Sequence, residues 1–87
     1  MHTDEYEISL SRELKVCNTY IHSLQHWLSR MEDIYNVKSD EFVKGYRSGI
    51  FSAYNRDFPA WYKASEELKG WEKRKKEFET IYRLMKI

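Results

Sequence analysis

The chain has 87 residues, a net charge of +1 at pH 7, 41% hydrophobic residues and 33% charged residues. This length suits one small domain, and the composition is typical of a soluble helical protein rather than a disordered one. A net charge this close to zero gives no bulk electrostatic reason to expect a nucleic-acid or membrane partner. Three glycines and one proline leave few places for long loops, so we expect a single all-α domain.

The single cysteine, Cys17, cannot form a disulfide within the chain. It also falls within an apolar stripe, where a thiol behaves as a small hydrophobic group. The sequence contains no recognisable signal peptide and no long apolar run. Together these features predict a reducing, cytoplasmic setting.

A seven-residue apolar repeat predicts the first helix, over about residues 4–35. Its members are Leu10, Leu14, Cys17, Ile21, Leu24, Leu28, Met31 and Tyr35. With Leu14 at position a of the heptad and Leu10 at d, further apolar residues occupy g, namely Tyr20, Trp27 and Ile34. A stripe of a, d and g is wider than a two-stranded seam, and it predicts contact with at least two other helices.

A short break at residues 36–38 precedes the second predicted helix, over residues 40–56, with Ser39 or Asp40 as its N-cap. Gly45 and Gly49 lie four residues apart on one side of this helix. Each glycine costs about 1 kcal/mol relative to alanine in a helix. We interpret the two glycines as positions where a neighbouring backbone approaches closely, which makes that cost tolerable.

Phe51 lies beyond the edge of the apolar arc of the second helix, beside Arg47 on the helical wheel. An exposed aromatic side chain flanked by arginine is typical of a binding anchor, although a dimer mate would cover it equally well. We therefore take Arg47, Phe51 and Tyr54 as candidate partner-binding residues.

Phe58 and Pro59 mark the start of the third predicted helix, over residues 58–86, with Asp57 as its N-cap. A second seven-residue repeat follows, with Trp61 at position a and one polar member. Its members are Trp61, Ala64, Leu68, Trp71, Lys75, Phe78, Tyr82 and Met85. The sequence thus predicts a three-helix bundle or an extended helical hairpin, coiled-coil-like, with long first and third helices.

The predicted helix lengths favour self-association. At about 1.5 Å per residue the outer helices are about 45–50 Å long and the middle one about 27 Å, so the middle helix cannot cover both stripes. Uncovered apolar stripes usually mark an interface, and we predict a homodimer. The residues predicted to form it are Tyr20, Trp27, Ile34, Trp71 and Phe78. The alternative is an outer helix that breaks and folds back into a compact monomeric bundle.

Sites for catalysis or metal binding are not evident. His22 and His26 are four residues apart, which is a metal-ligand spacing, but they fall on the solvent face without a converging third ligand. No nucleophile–base pair and no phosphate-binding loop is present in the sequence. We therefore predict that the protein is not an enzyme and holds no metal and no cofactor.

The strongest polar signal is a basic stretch of the third helix. Tyr62, Lys69, Lys76 and Arg83 line up at position b, and Lys73 lies nearby. Such a stripe fits a phosphate backbone. The charges also fit a solvated face with ion pairs four residues apart. The candidate pairs are Glu72–Lys76, Lys73–Glu77, Lys75–Glu79 and Glu79–Arg83.

Aromatic side chains, which make up 16% of the chain, fill small cores and also dominate binding hot spots. With no motif for catalysis, we predict a non-enzymatic protein–protein interaction module, such as a small adaptor, assembly factor or inhibitor, acting through an aromatic-rich helical surface. Its partners would be itself and another protein, with no membrane. The alternative is a nucleic-acid-associated protein that uses the basic third helix.

Overall fold

The computed structural model describes residues 5–51 and 55–85, and all secondary structure in these ranges is helical. The helices are α1 (Glu5–Tyr35), α2 (Ser39–Arg47) and α3 (Asp57–Met85). The molecule is elongated, with principal extents of 57 × 20 × 17 Å. The prediction of an all-α fold with long first and third helices is confirmed.

The two long helices form an antiparallel hairpin. The end of α1 meets the start of α3, where the rings of Tyr35 and Trp61 lie 5.5 Å apart, and midway along the hairpin Tyr20 stacks on Trp71. All members of the two apolar repeats are buried or half-buried, and Cys17 and Trp61 are fully buried. Neither long helix is broken within the described residues, so the alternative of a folded-back outer helix is wrong.

The core lies at one end of the hairpin, where α2 packs against both long helices. Its buried members are Leu28, Met31, Phe42, Val43, Trp61 and Ala64. The rings of Phe42 and Trp61 stack with centroids 3.9 Å apart and planes 3° from parallel. Trp61 Nε1 also donates a hydrogen bond to Ser39 Oγ at 3.0 Å. This stack therefore fixes α2 to α3 through both an apolar and a polar contact.

The middle helix ends at Arg47, so the predicted end at residue 56 is wrong. Gly49 has φ 81°, and its N–H donates to the Tyr46 carbonyl at 3.2 Å. The Ile50 N–H donates to the Gly45 carbonyl at 2.9 Å. These two bonds form a Schellman motif, which satisfies the last carbonyls and needs a left-handed residue at the position that Gly49 occupies.

The turn after α2 brings Phe51 back over Gly45. A Cβ atom on Gly45 would lie 2.7 Å from Phe51 Cδ2 and would collide with Cε2. Phe51 also packs against Phe42 and Phe58, with ring centroids 5.5 and 5.7 Å away. Gly45 therefore does permit a close approach, but by this side chain rather than by a neighbouring backbone.

Side chains from other segments satisfy the helix starts. Glu32 on α1 accepts a hydrogen bond from the Ser39 N–H at 2.7 Å, and Asn55 Oδ1 accepts one from the Asp57 N–H at 2.8 Å. The predicted caps Ser39 and Asp57 instead accept from Trp61 and Tyr35. In the described part of the chain, no helix combines the length and the apolar character that crossing a membrane requires.

Candidate interaction surface

α2 covers only one side of the α1–α3 hairpin. It contacts Glu32 at position e of α1, and Tyr62 and Glu66 at positions b and f of α3. The rings of Tyr46 and Tyr62 stack with centroids 5.2 Å apart. The short helix therefore lies on the e and b side of the hairpin, and no helix of residues 5–51 and 55–85 covers the g and c side.

We call this uncovered side the open face; it comprises positions c and g of α1 from Ser9 to Ile34 and of α3 from Ala60 to Leu84. Four large apolar side chains on it are exposed, at 42%, 50%, 61% and 65% for Val16, Tyr20, Ile34 and Leu84. A concentration of exposed apolar side chains on one side of a molecule marks an interaction surface.

The middle of the open face is a ring stack between the two long helices. Tyr20 and Trp71 lie with centroids 4.5 Å apart and planes 6° from parallel, and the Arg74 guanidinium lies 5.1 Å from the Trp71 ring. The exposed residue Gly70 adjoins this stack, and a Cβ there would meet no atom within 4 Å. Glu67, Gly70, Trp71 and Arg74 line a hollow of about 240 Å³.

The residues predicted for self-association occupy different environments. Tyr20 and Ile34 are exposed on the open face, whereas Trp27, Trp71 and Phe78 are half-buried. Trp27 packs against the core, and Phe78 lies at position d, on the side of α3 that faces α1. Val16, Leu84 and Gly70 also lie on the open face, and their shared position c is readable from the sequence although it was not among the predicted interface positions.

The residues predicted to bind a partner do not form one exposed cluster. Phe51 is half-buried against Phe42 and Phe58, so its expected exposure is wrong. The physical reason is that α2 ends before Phe51, which leaves the helical wheel inapplicable there. Arg47 is exposed, but it donates to Tyr62 Oη at 3.1 Å and to Glu66 Oε1 at 2.8 Å. Tyr54 lies outside the described residues.

The basic stripe of α3 keeps its register, with Lys69, Lys76 and Arg83 all exposed, and Lys73 is exposed beside it. Its aromatic member, Tyr62, is half-buried between Tyr46 and Arg47. Lys69 Nζ lies 3.8 Å from Glu66 Oε1. The four ion pairs predicted farther along α3 are not formed among the described side chains. The stripe thus offers exposed cations, while its aromatic member Tyr62 already stacks on Tyr46 instead of on a base.

Groups that could support catalysis or metal binding are dispersed. His22 and His26 are exposed, and the described residues contain no group of three or more potential metal ligands. Burial raises the pKa of the Cys17 thiol, which therefore stays protonated near neutral pH. A hollow of about 520 Å³ adjoins the start of α2. The Glu32 carboxylate already occupies that helix end, where an anion would otherwise bind.

A polar cluster joins the end of α1 to the start of α3. The Tyr35 hydroxyl donates to Asp57 Oδ2 at 2.6 Å and accepts from Asn55 Nδ2 at 3.3 Å. The hydrogen bond to the Asp57 carboxylate raises the pKa of Tyr35 above its ordinary value, since ionisation would remove the donated proton. This cluster therefore stabilises the hairpin only while Tyr35 is protonated.

Its contribution should disappear at alkaline pH. We expect Tyr35→Phe to lower the free energy of unfolding by a constant amount from neutral pH to about pH 10, the ordinary tyrosine pKa. The difference from the parent chain should shrink as pH rises through the higher folded-state pKa, because the raised pKa makes ionisation oppose folding. Urea unfolding of both chains at a series of pH values measures this difference. A difference that grew above that pH would contradict the assignment.

The comparisons with known proteins supply no family for this fold and surface. No protein-family model matches the chain, and neither a curated protein nor a solved structure is similar enough to match it.

Proposed function

We propose that this protein is a non-enzymatic protein–protein interaction module, a small adaptor, assembly factor or inhibitor, that binds through the open face and associates with itself. The observation that carries the proposal is the set of four exposed apolar side chains on the one side of the hairpin that α2 leaves uncovered. The aromatic stack of Tyr20 on Trp71 lies at its centre. Aromatic and aliphatic side chains of this kind supply most of the binding energy at protein interfaces.

The shape of the hairpin supports the proposal of a homodimer. A two-fold interface uses the same patch on both copies, and it is the commonest form of association between soluble chains. The open face runs along the length of an elongated molecule of 57 × 20 × 17 Å, so pairing two such faces would cover all four exposed side chains at once. A coiled-coil-like four-helix arrangement would result.

Val16 on the open face can be tested against Ile8, an equally exposed aliphatic residue on another side of α1. Val16 is 42% exposed on the open face, and Ile8 is 41% exposed at position b, outside it. We expect Val16→Glu to weaken self-association by about tenfold or more, because association would desolvate the new carboxylate. Ile8→Glu should leave self-association unchanged. Sedimentation velocity over a dilution series measures both.

Salt dependence separates this function from the nucleic-acid alternative. Self-association driven mainly by apolar contacts should weaken only modestly as ionic strength rises, whereas binding to a phosphate backbone weakens steeply as salt is added. A parent chain that remained a 10.7 kDa monomer at every concentration would contradict self-association. Equal weakening by Val16→Glu and Ile8→Glu would contradict the assignment to the open face.

A further inference from the structure

The charged side chains on the open face of α3 alternate in sign about Gly70. Lys63 and Glu77 lie seven residues before and after this glycine, and Glu67 and Arg74 lie three before and four after it. Within each of these two pairs the charges are opposite. All four side chains are exposed. The order of charges therefore reverses its sign when the helix is read from its other end.

A pattern of this kind is complementary to itself. When two copies of a helix run antiparallel about a two-fold axis at Gly70, each residue faces the one equally far beyond the axis. Lys63 then faces the second copy's Glu77, and Glu67 lies within about one residue of facing the second copy's Arg74, since the midpoint of those two is half a residue beyond Gly70. Opposite charges placed across an interface fix its register, and like charges placed there oppose association.

The open face of α1 has an independent pattern with the same property. Glu13 and Arg30 are exposed and opposite in charge, and their midpoint lies between Ile21 and His22. The apolar residues Val16 and Trp27 have that same midpoint. An antiparallel second copy centred there would pair Glu13 with Arg30 and Val16 with Trp27.

Gly70 on α3 and the midpoint on α1 lie at the same level along the hairpin. Tyr20 stacks directly on Trp71, so the residues next after Tyr20 on α1 lie beside those just before Trp71 on α3. The midpoint on α1 is therefore level with Gly70 to within about one residue, or about 1.5 Å. A single two-fold axis crossing the hairpin at this level satisfies both patterns.

The geometry points to a second copy of this chain as the occupant of the open face, bound antiparallel about a two-fold axis at Gly70 and the Tyr20–Trp71 stack. α3 lies against α3 and α1 against α1 in this arrangement. Gly70 suits the axis, because an exposed glycine with no neighbour within 4 Å of its Cβ position leaves room for another backbone. The proposal rests on the self-association proposed above and adds its register.

Two charge reversals on α3 test the register. Glu67→Arg places a second cation opposite the second copy's Arg74, and Arg74→Glu places a second anion opposite the second copy's Glu67. Each variant alone should dimerise about tenfold more weakly or worse, since the repulsion occurs twice in a symmetric dimer. Mixed in equal amounts, the two variants should form a heterodimer of restored affinity, because every facing pair is then of opposite charge.

Sedimentation velocity of each variant, of the mixture and of the parent chain measures these affinities at low salt. Lys76→Glu, on the same helix but at position b, is the matched control and should leave dimerisation unchanged. Mixing leaves the fold of each variant as it was, so recovery cannot come from repaired stability. If the parent chain dimerises but the mixture associates no more tightly than either variant alone, the proposed register is wrong while self-association stands. A monomeric parent overturns both the register and self-association.

Discussion

Replacing Trp61 with alanine is expected to lower the free energy of unfolding by about 3–5 kcal/mol. Trp61 is fully buried and stacks on Phe42 at 3.9 Å, so its removal leaves a cavity between α2 and α3. The loss is a large fraction of the stability of a small domain, which is about 5–15 kcal/mol. We expect α2 to detach before the long hairpin melts, because this stack is its main attachment.

Urea unfolding followed by circular dichroism measures the effect, and Trp71→Ala provides the control on the same helix. Trp71 is half-buried and stacks on Tyr20, which is 50% exposed. At a protein concentration low enough for the chain to be monomeric, its truncation should therefore cost clearly less. Trp61→Phe keeps a ring against Phe42 but loses the hydrogen bond to Ser39 Oγ, and it should fall between the two. Equal losses for Trp61→Ala and Trp71→Ala would contradict the placement of the core.

Gly45→Ala is expected to destabilise the protein by about 1–3 kcal/mol, although alanine is the better helix former. The new methyl group would collide with the Phe51 ring. That ring cannot withdraw freely, because it packs against Phe42 and Phe58. The expected change in the free energy of unfolding thus has the opposite sign to the change that helix propensity alone predicts.

The same substitution in a Phe51→Ala background isolates the cause. Without the ring, Gly45→Ala should stabilise α2 by about 1 kcal/mol, the usual difference in propensity. Thermal and urea unfolding of the parent, both single variants and the double variant complete the cycle. A destabilising Gly45→Ala in both backgrounds would show that some contact other than Phe51 needs the glycine.

Much of the hairpin could be predicted from the sequence, because helical periodicity is a local property. Two repeats with Leu14 and Trp61 at position a placed the inward faces correctly, and the break after Tyr35 was predicted. The end of α2 was missed, although Gly49 followed by Ile50 is the pattern of a Schellman motif. The apolar residues beyond Gly49 favour a longer helix, and they outweighed this signal in the prediction.

The open face could be predicted only in part. The heptad predicts an interface at Tyr20 and Ile34, both at position g, and both side chains are exposed. The helical wheel predicts an exposed Phe51, but the side chain is half-buried. A wheel describes only residues that are in a helix, and α2 ends before Phe51. The position of Gly70 on the c side can be read from the heptad, but the free space around it is seen only in the packed structure.

The sequence by itself determined where the two long helices run and which side of each is apolar, since the spacing of side chains along a helix fixes its inward face. Only the tertiary structure decided which flank α2 covers, and hence that the g and c side stays open. That choice depends on contacts between residues far apart in the chain, such as Trp61 with Ser39 and Glu32 with the start of α2. Periodicity gives the direction of a face, whereas the path of the chain determines what covers it.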